Sequence, residues 1–304
     1  MFTEPYSKKE VWLFLLNSSR NILYKNIKLL IGKGVFILIE VYHLPYGNHP
    51  SQFGVLRMPE LSGLIPVVVT IHGGFWQSRY GLEENDPLDE DLTRRGYATW
   101  NIEYRRVGED GGGWTGTFND VINAVNHLTQ IQGRFKLDLS RVIVLGHSAG
   151  GHLALWLASR INNKVQTDEI GNTLLVPIQS IVSLAGVSDL KRMWKFHEEK
   201  GMSSHVASLI GGSPHEFSDR YRLVSPIELL PLGVEQILIH GELDRHVPVD
   251  LSVEYHRSAV EKGDKVGLVV LPEVEHFMVI DPSSTAWKSV TDTLQNSIGS
   301  SFHY

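Results

Sequence analysis

The chain has no cysteine. Disulfides, thiolate nucleophiles and cysteine-ligated metals are therefore excluded at once. It also lacks any apolar run near the ~20 residues that a membrane-crossing helix needs, so no membrane span is expected. No long Lys/Arg cluster occurs, and 34 acidic residues outnumber 28 basic ones for a net charge of −6. That balance argues against nucleic acid as a partner. No internal repeat and no linker between two cores is found, so the 304 residues read as one domain rather than two. The absence of cysteine fits a cytoplasmic protein, and a homo-oligomer is left open.

What is present is ordinary for a soluble globular chain: 42% hydrophobic and 20% charged residues, enough for a substantial core. Residues 1–34 read as an N-terminal extension. Within it, Lys8 and Lys9 precede the apolar run Val11–Trp12–Leu13–Phe14–Leu15–Leu16. The run is too short for a signal peptide and no small-residue cleavage site follows. It reads as a helix that packs on the domain or serves a partner.

From residue 35 the pattern is regular. Strands are expected at 35–42, 52–57, 66–71, 97–104, 141–145, 178–184, 236–240 and 266–270. Helices are expected near 88–92, from 117 to 128, after Ser148, over 250–262 and at the C-terminus, where Trp287, Val290, Leu294 and Ile298 share a face. Strands alternating with helices imply an α/β fold, a mostly parallel sheet with helices on both faces. The first two of these strands are too close for a helical crossover and form an antiparallel edge. Residues 186–230 are mixed and polar, with Trp194, Met202, Gly211 and Gly212, and read as a lid insertion in a domain covering 35–304.

One stretch organises the rest. Val142–Ile143–Val144–Leu145 is a buried strand, Gly146–His147–Ser148–Ala149–Gly150 a tight turn, and Leu153–Ala154–Leu155–Trp156–Leu157–Ala158 an apolar helix. The spacing G-x-S-x-G suits a strand that turns directly into a helix. Glycines on either side remove bulk, and the serine hydroxyl is left protruding.

A serine is a poor nucleophile near neutral pH and needs a base, an orienting carboxylate and oxyanion donors. In an open parallel sheet these belong on loops after the strands. Of 14 histidines, His276 lies in the loop after the last strand, in Glu273–Val274–Glu275–His276–Phe277, and is the expected base. His147 and His152 belong to the turn and helix and are read as packing residues. Asp244, in Gly241–Glu242–Leu243–Asp244, is the expected carboxylate, with Glu242 and Asp189 as competitors. Ala149 supplies one expected oxyanion donor. Gly74 or Phe75 supplies the other, from His72–Gly73–Gly74–Phe75–Trp76 after an earlier strand. His72 is read as fixing that loop.

Taken together, these motifs resemble the alpha/beta-hydrolase superfamily over roughly residues 35–300. His72–Gly73–Gly74–Phe75–Trp76 is similar to the H-G-G-x-W motif of kynurenine formamidases (arylformamidases). Gly146–His147–Ser148–Ala149–Gly150–Gly151–His152 and Gly241–x–x–Asp244–x–x–Val247–Pro248 are similar to that branch and to related bacterial esterases. The resemblance implies an alpha/beta-hydrolase fold and a hydrolase without metal or cofactor, with Ser148, Asp244 and His276 as triad. It implies a small-molecule ester or amide substrate, N-formyl-kynurenine being a candidate. Phe75 and Trp76 are the expected walls of the substrate pocket, and Trp194 in the lid is expected to stack on an aryl leaving group. The N-terminal extension has no counterpart in the resemblance. Two alternatives stand beside it: a dipeptidyl-peptidase-like hydrolase, since two of the motifs also resemble prolyl-oligopeptidase catalytic domains, and a non-catalytic binding protein on the same fold.

Overall fold

A computed structural model describes residues 24–32, 35–161 and 169–298; the apolar run at 11–16 lies outside them. Among the described residues nine strands form one sheet in the order β1-β2-β3-β5-β4-β6-β7-β8-β9. The strands are β1 Tyr24–Gly32, β2 Val35–Pro45, β3 Phe53–Pro59, β4 Ile65–Ile71, β5 Ala98–Ile102, β6 Leu137–His147, β7 Ser180–Leu184, β8 Glu235–Gly241 and β9 Val266–Leu271. From β5 to β9 every neighbouring pair is parallel, whereas β1, β2 and β3 pair antiparallel and β3 joins β5 antiparallel. The expected antiparallel edge is therefore present and one strand wider: β1 occupies part of what read as an extension.

The central strands are largely apolar because both of their faces are covered. In β4 every residue is buried. Val67, Val69 and Ile71 point into one core and Val68 into the other, as the alternation of side chains along a strand requires. Helices α1 (Asp86–Arg94) and α9 (Ala286–Ile298) supply Leu88, Leu92, Trp287, Val290 and Leu294 to one side. The side chain of Ile298 lies outside the described residues. On the other side are α2 (Gly116–Asn126), α3 (Leu128–Phe135), α4 (Ala149–Ala158) and α8 (Asp250–Glu261). The helix expected over 117–128 is thus two helices meeting at His127.

The lid is three short helices, α5 (Leu190–Glu199), α6 (His205–Ile210) and α7 (Ser218–Val224). Asp189 caps α5 by accepting from Arg192 N, and Ser204 caps α6 through Ala207 N. The two ends of the insertion meet: Leu190 N donates to Ser225 Oγ at 3.0 Å and Ile227 N to Ser188 O at 3.0 Å. Among the described residues no helix is long and apolar enough to cross a membrane.

Candidate active site

The loops after β4, β6, β8 and β9 all leave the sheet at the carboxyl ends of parallel strands, where functional loops gather in open α/β sheets. At the end of β6 the chain turns sharply at Ser148, which holds φ 54° and ψ −116°. A left-handed φ at a residue with a Cβ stores strain. Three hydrogen bonds hold it: Ser148 N donates to Leu184 O at 2.8 Å, while Ser148 O accepts from His152 N at 3.1 Å and Val187 N at 3.3 Å. The flanking glycines are needed for close approach. A Cβ on Gly146 would lie 2.1 Å from Gly150 O, and one on Gly150 would lie 2.0 Å from Ile71 O. Both obstacles are backbone, which no rotamer change relieves. Gly150→Ala is therefore expected to cost about 3 kcal/mol or more, read as a lowered urea midpoint; a midpoint equal to wild type would contradict the packing just described.

Asp244 and His276 are brought together. His276 Nδ1 donates to Asp244 Oδ2 at 2.6 Å, with both side chains buried. Asp244 receives three further donors: His240 Nε2 at 3.1 Å on Oδ2, and the backbone N–H groups of His246 at 2.8 Å and Val247 at 2.9 Å on Oδ1. Burial works to raise the Asp244 pKa, but the hydrogen bonds from His240 and His276 outweigh it and hold the carboxyl well below the usual range. The two competing carboxylates are placed elsewhere: Asp189 caps a lid helix and Glu242 is exposed.

The serine turn and the histidine loop are joined through His147, whose Nε2 donates to the carbonyl of His276 at 3.1 Å. Their rings lie 4.6 Å apart. Among the described residues no hydrogen bond links Ser148 Oγ to His276, an arrangement seen where the bond tightens only with substrate in place. His152 is a packing residue, as expected: its Nε2 donates to Val224 O at 2.9 Å, and its ring meets Trp76 and Phe118 edge-on.

The loop after β4 runs through three consecutive left-handed residues, Gly74 (φ 90°), Phe75 (φ 54°) and Trp76 (φ 57°). His72 fixes its start. The ring pairs through Nε2 with Glu103 Oε1 at 2.8 Å and stacks on Tyr104 at 4.5 Å. Tyr104 Oη donates to His72 O at 3.1 Å. Gly73 N is taken by Glu84 Oε2 at 2.7 Å. That leaves Gly74 and Phe75 as this loop's candidate oxyanion donors, and it sits against the serine: a Cβ on Gly73 would come 3.1 Å from Ser148 Cβ. Ala149 is the first residue of α4, and amides at that position have no acceptor within their own helix.

The expected pocket walls divide. The Phe75 ring lies 4.6 Å from His205 of the lid and 6.4 Å from His246, which in turn lies 4.9 Å from His276. Aromatic and imidazole rings thus connect the loop after β4, the lid and the loops after β8 and β9. Trp194 is half-buried beside His215 at 5.6 Å in the lid. Trp76 corrects the expectation. Only 1% exposed, it belongs to the main core, edge-on to His152 at 5.2 Å. Its large apolar area is better used there than at a solvent-filled wall. Glu84, Glu103, His240 and His246 were not singled out by sequence reasoning. For His240 a signal existed, a polar residue closing an apolar strand beside Gly241; Glu84 sits in an unremarkable acidic stretch.

The BD-FAE family model matches residues 56–258. The acylamino-acid-releasing enzyme of Arabidopsis thaliana is 29% identical over 195 residues, which is 61% of this chain and 24% of that one. This chain thus spans about a quarter of that relative. The kynurenine formamidase of Salmo salar is 21% identical, covering 85% of this chain and 82% of its own. An inhibited esterase B from Lactobacillus rhamnosis superposes with a TM-score of 0.74 at 19% identity, over 86% of each chain, which shows the shared alpha/beta-hydrolase fold.

Proposed function

The chain belongs to the BD-FAE family, and on that premise we propose that it is a serine hydrolase acting on a small ester or an aryl-formamide through an acyl-enzyme. The observation that carries this is the buried Asp244–His276 pair at 2.6 Å, tied through His147 to the turn that bears Ser148. In the proposed reaction His276 Nε2 takes the Ser148 proton as Oγ attacks the carbonyl carbon. The amides of Ala149 and of Gly74 or Phe75 receive the oxyanion. His276 then returns the proton to the leaving alcohol or amine, and water, activated by the same histidine, releases the acid. Phe75, whose ring neighbours His205 and His246, is the residue assigned to contact an aromatic leaving group, and Trp194 of the lid is assigned to stack on it. Likeness to kynurenine formamidase along most of both chains supports a formamide beside simple esters.

A second reading, removal of an acylated residue from a peptide, is favoured by the identity with the acylamino-acid-releasing enzyme. Purified protein offered p-nitrophenyl acetate and butyrate, N-formyl-kynurenine and N-acetyl-alanine p-nitroanilide separates the two. Turnover of the esters and the formamide is expected. Turnover of the anilide alone would replace the first reading with the second.

The pH profile follows from the base. Burial pushes the His276 imidazole down from 6.5 to about 4; Asp244 pulls against this, and His147 and His246 add to it. A base must be neutral to accept a proton, so activity is lost as pH falls through the folded-state value. The acid limb of kcat/KM is expected below pH 6.5, with a flat profile from there to pH 8. A limb at or above 6.5 would show that the ring is not held low.

A further inference from the structure

Glu84 is not part of the proposed triad, yet it lies where three loops of the site converge. It sits in a short 3-10 turn, Leu82–Asn85, just before α1. Its Oε2 accepts from Gly73 N at 2.7 Å and lies 3.5 Å from His147 Nδ1. The other nitrogen of that imidazole donates to His276 O at 3.1 Å. Glu84, His147 and His276 are thus in sequence from the loop after β4, across the serine turn, to the loop after β9, the first contact being an ion pair when His147 carries a proton on Nδ1 as well as on Nε2. The packing is close. A Cβ on Gly73 would meet Glu84 Oε2 at 3.0 Å and both His147 Nδ1 and Ser148 Cβ at 3.1 Å.

We propose that Glu84, acting through Gly73 and His147, is a positioning residue for the reaction: one carboxylate oxygen aligns the oxyanion loop with the nucleophile and, through the imidazole, with the backbone of the base. The inference rests on the reading of Ser148 as nucleophile. Two features fit it. Glu84 occupies the Gly73 amide, which leaves the next amides, Gly74 and Phe75, as the loop's candidate oxyanion donors. The carboxyl also stays ionised: burial works to raise its pKa, but His147 and the Gly73 amide outweigh this and hold it at about 2. A loop placed by a fixed charge needs no rearrangement as the oxyanion forms, which is where preorganised donors gain their effect.

The test compares wild type, Glu84→Ala, Glu84→Gln, His147→Ala and the Glu84→Ala/His147→Ala double variant. Two quantities are read: the rate and final extent of Ser148 labelling by a fluorophosphonate, and kcat and KM on p-nitrophenyl butyrate. Glu84→Ala is expected to label to the full extent but about 10–100-fold more slowly, with kcat down by a similar factor and KM unchanged. That is smaller than the 10²–10³ lost with an oxyanion donor itself. Glu84→Gln, which keeps an acceptor for Gly73 without the charge, should fall between. The double variant should be little worse than the poorer single one, because both residues act on one path. Labelling of Glu84→Ala at the wild-type rate, or a lower extent at an unchanged rate, would overturn the inference. So would single effects that multiply in the double variant. If Glu84→Ala does not fold, Glu84→Gln carries the same comparison, and a wild-type rate there is equally fatal. Wild-type protein that takes no label overturns the nucleophile reading and this inference with it; wild type that labels while the variants match it overturns this inference alone.

Discussion

Ser148→Ala is expected to lower ester hydrolysis by about 10⁶-fold, the scale on which a hydrolase loses its nucleophile, and to leave thermal unfolding nearly unchanged. Both halves follow from the turn. What holds Ser148 at φ 54° is its backbone, bonded to Leu184, His152 and Val187. Alanine keeps all three bonds and has the same Cβ, so the strain is neither relieved nor increased. Oγ is a polar atom in a nearly closed site, and the residue is 3% exposed. Removing such a hydroxyl costs little when it is not part of a folding network. The measurement is p-nitrophenyl butyrate hydrolysis beside a melting curve, with intact mass after fluorophosphonate treatment. Residual activity above about 1% of wild type, or label on the variant, would transfer the nucleophile elsewhere.

Asp244→Asn should cost about 10⁴-fold in kcat, the loss seen when a triad histidine is held in the wrong tautomer. The reason is a count of donors. Asp244 faces four N–H groups, two on each oxygen. Asparagine has one accepting oxygen and one NH2. If the oxygen stays with His246 and Val247, the NH2 confronts His276 Nδ1. That ring must then turn acceptor at Nδ1 and carry its hydrogen on Nε2, the nitrogen needed to take the serine proton. If the amide flips, the NH2 faces two backbone donors instead, and a buried donor is left unsatisfied. Either way the variant loses stability as well as rate, which separates it from Ser148→Ala. An Asp244→Asn protein with near wild-type kcat would mean that this carboxylate does not orient the base. Loss of activity on Asp189→Asn would then point to the lid helix cap in its place.

The sheet was legible in the sequence where both faces of a strand are buried. Continuous apolar runs such as Val67–Val69 and Ile237–Ile239 mark themselves, and the serine turn announces its two glycines. Asp244 and His276 were legible because each follows such a strand. β1 was not: its residues mix Lys25, Asn26 and Lys28 with Ile27 and Leu29, and only pairing with β2 makes a strand of them. The lid helices are too short for helical periodicity to stand out, and their caps at Asp189 and Ser204 read equally well as loop residues. Glu84 and His240 escaped for a different reason. Nothing about a glutamate in Gly81–Leu82–Glu83–Glu84–Asn85 distinguishes it until the fold sets it against Gly73 and His147. Trp76 misled because an aromatic next to a catalytic-looking glycine loop suggests a wall, whereas the backbone reverses there and sends it inward.

The stapled ends of the lid have an evolutionary consequence. Ser188 and Ile227, and Leu190 and Ser225, are hydrogen-bonded to one another, so everything between them is a closed excursion from the sheet. Closing such an excursion costs only about 0.6 kcal/mol more for each doubling of its length. The exposed turns between the three helices can therefore take insertions, while Met193, Leu209 and Tyr221, buried in the main core, keep the helices themselves tied to the sheet. Among descendants of this architecture, divergence in what is accepted at the mouth can run ahead of divergence in the chemistry beneath it.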